Sequence, residues 1–155
     1  MHGAGLEAGE PADVLYRYAT AIDTKDWLLL RECFEPSCVF TAGDAELVLD
    51  GVDAIVDFMT AAHRDIDGSQ HRLSNMRIEL AADGRSARSR TYLEALIVHR
   101  LHRDGPTFQL WAEYHDRLEV VYGPDGTGTR WQIAERNVTS LWRLGNASIL
   151  GSTVS

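Results

Sequence analysis

The chain of 155 residues is long enough to bury a hydrophobic core and is most simply organised as one domain. Hydrophobic residues make up 45% of it and charged residues 25%, which excludes a chain that is disordered throughout. The 15 Lys and Arg residues against 23 Asp and Glu residues give a net charge of −8. Nucleic acid is therefore not expected as a partner, because phosphate binding requires a basic surface.

The ends of the chain and its cysteines bear on the compartment. Cys33 and Cys38 do not make a disulfide framework, and they lie five residues apart across a predicted turn. No apolar run approaches the roughly 18 residues of a membrane span, so no membrane is expected as a partner. Residues 1–10 lack the features of a signal peptide and are predicted to be a disordered lead. We expect a cytoplasmic protein with a single domain over residues 11–143 and a loose tail over residues 144–155.

Helical periodicity and capping residues predict two helices near the start of the chain. The first covers residues 11–23, because Pro11 suits the first turn of a helix. Thr24 or Asp26 is expected to cap the second helix, which ends at Pro36.

A β-hairpin over residues 37–49 and a third helix over residues 52–63 come next. Beyond them, alternating patterns separated by turn residues predict an antiparallel meander. Its strands are expected over residues 71–80, 85–103, 107–122 and 130–142. Helices gathered on one side of such a sheet give an α+β fold, and the twist of long strands leaves an internal pocket beneath the helices.

The first helix carries a carboxylate on its apolar side. The apolar residues at helical spacing are Ala12, Leu15, Tyr16, Ala19 and Ile22. Asp23 falls on the same face, where an ionised carboxylate costs free energy unless a partner is present. Asp23 is therefore either a residue of the helix boundary or a group that faces a pocket and orients a catalytic base.

Six segments of the chain resemble the SnoaL-like members of the NTF2-like superfamily. They are residues 16–27, 33–40, 49–55, 70–75, 112–118 and 130–136. Their order and spacing carry the resemblance, which covers residues 11–143. It implies an NTF2-like cone, in which three N-terminal helices pack on a strongly curved, mostly antiparallel sheet around an internal pocket.

The resemblance also implies a pair of catalytic residues. The family includes scytalone dehydratase, hexachlorocyclohexane dehydrochlorinase, bile-acid dehydratases, ketosteroid isomerase and polyketide cyclases, together with binding modules that perform no chemistry. Its lyases place an Asp at the end of the first helix and a His at the start of the first long strand, which here are Asp23 and His71. His71 would be the general base, and Asp23 would fix its tautomer and stabilise the imidazolium. The alternative is that Asp23 pairs with His71 for structure alone.

Five further residues are candidates for substrate binding: Tyr16, Asn75, His99, His115 and Arg136. Tyr16 shares a helix face with Asp23, and Asn75 shares a strand face with His71; core packing and solvent exposure are their respective alternatives. His99 or His115 would supply a second histidine to the pocket, although alternation does not say which one faces inward. Arg136 either assists departure of a leaving group, as the resemblance implies, or forms a salt bridge with Glu113 or Glu135.

No metal or cofactor is predicted. His99 and His102 are three residues apart on a predicted strand, which places them on opposite faces. His63 falls on the apolar stripe of the third helix and is assigned to the core. The chain has no glycine-rich phosphate loop, no Gly-x-Ser-x-Gly elbow and no cysteine nucleophile with a placed base. Proton chemistry without a cofactor is what remains.

These features predict a cofactor-independent lyase of the dehydratase type, or an isomerase, acting on a small, largely apolar, cyclic molecule. Polyketide ring closure would use the same groups. The competing hypothesis is a non-catalytic NTF2-like module for ligand binding or assembly, and it would be favoured if Asp23 and His71 pointed apart. Self-association as a dimer or trimer is expected, and Trp111, Trp131 and Trp142 are candidates for that surface or for the core.

Overall fold

The computed structural model describes residues 9–123 and 128–151. The described residues form, in chain order, α1 (Ala12–Thr24), α2 (Trp27–Glu32), β1 (Phe34–Ala42), β2 (Leu47–Asp50), α3 (Val52–Ala62), β3 (Gly68–Leu80), β4 (Ser86–Val98), β5 (Thr107–Tyr122), β6 (Thr129–Gly145) and a 3₁₀ helix (Ala147–Leu150). The predicted order of three helices, a short hairpin and four long strands is confirmed.

All six strands belong to one sheet, in the order β2-β1-β6-β5-β4-β3. The β1–β6 pair is parallel, and the other four pairs are antiparallel. The helices pack on the concave side of this curved sheet, which confirms the predicted α+β fold of the NTF2-like type. Along β4 buried residues alternate with more exposed ones, so that one face of the strand is buried along its whole length. The residues at the two ends of this buried face are apolar.

The start of the sheet differs from the prediction. Asp26 caps α2, as one of the two predicted alternatives, since its side chain accepts a hydrogen bond from the Leu29 N–H at 3.0 Å. The helix then ends at Glu32, and Phe34 already belongs to β1. Pro36 therefore lies within a strand rather than at a helix end. It falls where the register between β1 and β6 shifts, so its missing N–H interrupts no regular pairing.

The packed face of α1 is centred elsewhere than predicted. Tyr18 is 3% exposed and lies three residues after Leu15 and four before Ile22, at the middle of the buried stripe. Tyr16 is two residues from Tyr18, about 200° away around the helix, and its exposure is 55%. Tyr16 consequently faces solvent instead of the interior.

The described part of the predicted loose tail contains the end of β6 and a 3₁₀ helix. β6 continues to Gly145, whose φ of +84° suits glycine. A Cβ atom at this position would lie 2.4 Å from the Thr107 carbonyl oxygen. The 3₁₀ helix that follows buries Ile149 beside Ile97 and Phe108. The rest of the predicted tail, residues 152–155, lies outside the described residues, as do residues 1–8 of the predicted lead.

The three candidate tryptophans lie in different surroundings. Trp131 is 3% exposed and its indole N–H donates to the Gly9 carbonyl oxygen at 3.2 Å, so it belongs to the core. Trp142 is 71% exposed, and Trp111, its partner across β5 and β6, is partly buried. Only the latter two belong to the outer face of the sheet.

A charged pair is buried in the core between β5 and β6. Arg136 donates from Nε and Nη2 to the two carboxylate oxygens of Asp116, at 2.8 Å each, and both side chains are fully buried. The guanidinium lies between the rings of Tyr18 and Tyr114, 4.3 Å and 3.8 Å from their centroids. Burial lowers the pKa of Arg136, but the charge of Asp116 outweighs it and leaves the pKa above its ordinary value.

The predicted salt bridge of Arg136 with Glu113 or Glu135 is therefore wrong. Arg136 faces inward on β6, where the register sets it opposite Asp116. Glu113 and Glu135 lie on the outer face, where their partners are Arg90 and Arg117 respectively.

Replacing Asp116 by Asn should strongly destabilise the fold. The guanidinium of Arg136 would remain buried without a countercharge, and breaking a buried ion pair in this way typically costs roughly 3–5 kcal/mol. Urea denaturation monitored by circular dichroism measures the loss in free energy of unfolding. Glu113→Gln breaks an exposed pair and serves as the control, with little expected effect. Equal stability of the two variants would contradict this assignment.

Candidate active site

A cavity of about 560 Å³ lies between the helices and the concave face of the sheet. Its volume is within the roughly 300–1,000 Å³ that small-molecule sites occupy. The apolar part of its wall is formed by Phe40, Ala42, Leu47, Phe58, Met59, Ala62, Leu93, Ala95, Ile97, Leu110, Val138 and Leu150. The polar part is formed by Tyr18, Glu46, His63, His71, Tyr114, Ser140 and Arg143. The wall thus combines a large apolar area with a few polar groups.

Asp23 and His71 are in direct contact. The imidazole Nδ1 of His71 lies 2.7 Å from Oδ1 of Asp23, and the backbone N–H of His71 donates to Oδ2 at 2.9 Å. Ser69 donates from its hydroxyl to Oδ1 at 3.0 Å. The carboxylate therefore accepts three hydrogen bonds, and its side chain is 21% exposed while that of His71 is 9% exposed.

The local sequence explains why these groups meet. Lys25 ends α1 in the left-handed region, with φ of 54°, and its Nζ donates to the Ile66 carbonyl oxygen at 2.6 Å. This contact holds the end of α1 against the start of β3. Ser69 and His71 are two residues apart on β3 and so point to the same side, toward Asp23.

The contact with Asp23 fixes the tautomer of His71. A carboxylate only accepts, so Nδ1 carries the ring proton in the neutral state and Nε2 carries the lone pair. His71 lines the cavity, whereas Asp23 stands behind it. An imidazole held in this way can take a proton from a molecule in the cavity, and the carboxylate behind it stabilises the imidazolium that results.

Two tyrosines that the sequence reasoning missed also line the cavity. Burial raises the pKa of Tyr18 and raises that of Tyr114 well above its ordinary value, so both phenols keep their protons. Their rings meet edge to face, with centroids 5.9 Å apart, and both stack on Arg136. The signal for Tyr18 was its central place in the α1 stripe, and that for Tyr114 was the alternation of β5 with its buried neighbours Ala112 and Asp116.

His63 is a second histidine in the cavity wall. It was assigned to the core, and its 5% exposure agrees with burial. Its Nδ1 lies 2.8 Å from the Met59 carbonyl oxygen, one turn earlier in the chain. Its ring also packs against Trp27, with centroids 6.1 Å apart. The helical stripe predicted the burial, but could not show that the same face also borders the cavity.

The five predicted binding residues lie outside the cavity wall. Tyr16 is exposed, as described above. Asn75 follows Ser74 at a bulge in β3, where the register with β4 shifts, and it has φ of +48°. The extra residue breaks the alternation that would have placed Asn75 on the face of His71.

The other three predicted binding residues lie away from the cavity because of their positions on or beyond the strands. His99 follows the end of β4 and contacts His102 in the turn, with ring centroids 5.2 Å apart, so these two do not point to opposite faces of a strand. His115 lies on the outer face of β5 and pairs with Glu113 at 3.0 Å. Arg136 lies behind Tyr18 and Tyr114, which separate it from the cavity.

Other chemistry has little support within residues 9–123 and 128–151. These residues contain no cluster of three or more His, Cys, Asp and Glu side chains that could hold a metal ion. Cys33 and Cys38 are free and buried, and burial raises the pKa of their thiols to about 11 and about 12. Neither is a thiolate nucleophile at neutral pH. No helix among the described residues is long and apolar enough to span a membrane.

Comparisons with known proteins identify the family and the fold. A family model for the SnoaL-like domain matches residues 9–137. A comparison with curated proteins gives no match. Several solved structures share the fold over most of the chain, and three are described next.

The three structures come from two Novosphingobium species and from Streptomyces coelicolor. One, provisionally named a scytalone dehydratase, from Novosphingobium aromaticivorans, has a TM-score of 0.75 and 19% identity, covering 86% of this chain and 83% of that chain. Hexachlorocyclohexane dehydrochlorinase LinA-type3 from Novosphingobium barchaimii has a TM-score of 0.68 and 14% identity, covering 87% and 86%. ActVI-ORFA from Streptomyces coelicolor has a TM-score of 0.63 and 21% identity, covering 83% and 92%. At these identities the similarity establishes the fold.

Replacing Asp23 by Asn should switch the tautomer of His71. Asn offers one oxygen where the carboxylate offers two, and the backbone N–H of His71 cannot turn away from its acceptor. The amide nitrogen is then expected opposite Nδ1, where it donates to the ring and moves the ring proton to Nε2. Long-range ¹H–¹⁵N correlation spectra of the histidines distinguish the two tautomers directly.

Ser69→Ala is the matched control for this measurement. It removes one donor to Asp23 but leaves both carboxylate oxygens in place, so His71 should keep its proton on Nδ1. An Nδ1–H tautomer in Asp23→Asn as well would show that the carboxylate does not set the state of the ring.

The stability of the protein should depend on pH through His63. Burial of the imidazole lowers the pKa of His63 from its ordinary value of 6.5. Below pH 6.5 the unfolded chain binds a proton at this side chain before the folded chain does, so the contribution of His63 to the free energy of unfolding falls as the pH falls. The free energy of unfolding of wild type minus that of His63→Leu should therefore decrease from about pH 7 to about pH 5. Urea denaturation measures it, and a difference independent of pH would contradict the assignment.

Proposed function

This chain belongs to the SnoaL-like family, and on that premise we propose that it is a cofactor-independent lyase of the dehydratase type. The observation that carries the proposal is the 2.7 Å contact between Asp23 and His71 at the wall of a largely apolar cavity. Family membership alone would not distinguish an enzyme from a binding module. An imidazole that lines a substrate-sized cavity and whose Nδ1 is held by a carboxylate supports the role of proton acceptor, which a simple binding module does not need.

The proposed reaction removes water from a small cyclic molecule. Nε2 of His71 takes a proton from the carbon next to a carbonyl group, and the electron pair of that C–H bond forms a C=C bond. The C–O bond to the hydroxyl on the next carbon breaks. The imidazolium then gives its proton to the departing oxygen, so that water leaves and His71 returns to its starting state. Asp23 stabilises the imidazolium between these two steps.

Tyr18 and Tyr114 are the proposed partners of the carbonyl oxygen. Charge accumulates on this oxygen while the α-carbon loses its proton, and preorganised donors stabilise such charge. Both phenols keep their protons because burial raises their pKa values. Their stacking on Arg136 holds the rings in place.

The names of the similar structures are compatible with elimination. A dehydratase and a dehydrochlorinase both remove a proton and a leaving group from neighbouring carbons, which is the reaction class that a single paired histidine suits. Isomerisation or ring closure would begin with the same abstraction of a proton from carbon. We place dehydration first because His71 can serve as base and then as acid, so no further titrating group is needed.

A bicyclic β-hydroxyketone is a suitable first probe. 3-Hydroxy-1-tetralone loses water to give 1-naphthol, whose fluorescence reports the reaction. We expect the wild-type chain to accelerate this loss, and His71→Asn to reduce the acceleration by roughly 10²–10⁴-fold, the usual contribution of general acid–base catalysis. Elimination by the wild-type chain is followed by fluorescence and checked by mass spectrometry.

His115→Gln is the control, because His115 lies on the outer face of the sheet and should leave the rate unchanged. Binding of the probe with no acceleration, and equal rates in His71→Asn and wild type, would favour the non-catalytic binding module for this probe class.

A further inference from the structure

His63 lines the cavity, and one of its two ring nitrogens has no partner among the described residues. It follows the last residue of α3, its side chain is among the buried polar groups, and it lines the cavity together with His71. The proposed elimination uses His71, Asp23 and the two tyrosines and leaves His63 without a role. An imidazole that borders a ligand cavity can favour ligands with a polar group by forming a hydrogen bond to it.

A backbone carbonyl group determines which ring nitrogen of His63 is free to accept a hydrogen bond. Nδ1 lies 2.8 Å from the Met59 carbonyl oxygen, which can only accept, so Nδ1 carries the proton and donates. Nε2 then carries the lone pair. Burial lowers the pKa of His63, and the nearby His71 lowers it further when charged, so the ring stays neutral at neutral pH. Among the described residues the hydrogen bond of His63 is the one at Nδ1, and Nε2 has no protein partner there.

The orientation of the ring is set from two sides. The hydrogen bond to Met59 holds one edge, and the indole of Trp27 packs against the ring at 6.1 Å between centroids with an interplanar angle of 61°. The ring cannot turn to exchange its two nitrogens without losing the Met59 bond. A ligand hydroxyl that donates to Nε2 exchanges a hydrogen bond with water for one with the protein, and this exchange gives a modest net gain in binding free energy.

We propose that Nε2 of His63 accepts a hydrogen bond from a hydroxyl group of the ligand, so that the cavity selects hydroxylated cyclic molecules over hydrocarbons of the same shape. The inference rests on the proposed function, since it assigns a second contact to the same cavity. An acceptor cannot assist a departing hydroxyl, which needs a proton donor. The hydroxyl that His63 holds is therefore one that stays on the product, and the substrate carries at least one hydroxyl besides the one that leaves.

The test compares two probes that differ by one hydroxyl, 2-naphthol and naphthalene. Wild type should bind 2-naphthol roughly three- to tenfold more tightly than naphthalene, the ratio that one net hydrogen bond gives. In His63→Phe this ratio should fall to about one, whereas His63→Gln, which keeps an acceptor, should recover part of it. Affinities come from NMR titrations that follow cavity methyl groups. The Nε2 resonance of His63 in wild type should move with 2-naphthol and not with naphthalene.

The outcomes separate this inference from the proposed function. If both probes bind and shift His71 equally, with no hydroxyl preference or with an unchanged preference in His63→Phe, the role of His63 is refuted while the catalytic cavity stands. If His63 carries its proton on Nε2, the role is likewise refuted. If the hydroxyl preference depends on His63 but no elimination is found, the acceptor stands and the catalytic proposal falls. If neither probe binds in the cavity, both fall.

Discussion

The carboxylate of Asp23 is the interaction on which the site depends. It joins the end of α1 to the start of β3 by accepting three hydrogen bonds, two of them from His71 and one from Ser69. A carboxylate in a largely enclosed position is costly unless it is satisfied, and here every donor comes from the same strand. The hydrogen bonds that offset the cost of enclosing the Asp23 carboxylate thus also set the position, the tautomer and the orientation of His71. The geometry that satisfies the carboxylate is thus the same geometry on which the proposed catalytic role of His71 depends.

A second charged pair supports the site from behind. Arg136 and Asp116 satisfy each other in the core, and the flat guanidinium lies between two tyrosine rings that face the cavity on their other side. Arginine is suited to this position, since it can stack on aromatic rings while it pairs with a carboxylate in two bonds. In the proposed site Arg136 would act by holding the two phenols in place, without direct contact with a ligand. Asp116 neutralises the charge of Arg136, so the pair contributes position and not a net positive field.

The sequence predicted the order of the elements, the α+β cone and the contact between Asp23 and His71. These rest on long-range regularities, namely helical and alternating periodicity and a resemblance spread over most of the chain. The errors have local physical causes. The predicted stripe of α1 included Tyr16 in place of Tyr18, which lies two residues away on the buried face, and a single bulge turned Asn75 away from the face of His71.

The sequence likewise could not predict which face of each strand points inward or the register between neighbouring strands. Alternation divides β5 into two faces but does not say which one is concave, so His115 and its neighbour Tyr114 could not be told apart. The partner of Arg136 depends on the register of β6 against β5, which is altered by a shift after Arg117. Charged residues on the outer face were equally plausible partners until that register was known.

The two imidazoles of the cavity show how similar groups receive different tasks from their surroundings. His71 donates to a carboxylate, which stabilises the cation that forms when the ring takes up a proton. His63 donates to a neutral carbonyl, and burial lowers its pKa, which disfavours the cation. His71 therefore has one ring nitrogen paired with a negative charge, whereas His63 has one ring nitrogen paired with a neutral group. Of the five histidines among the described residues, His63 and His71 line the cavity, and the partner of Nδ1 distinguishes one from the other.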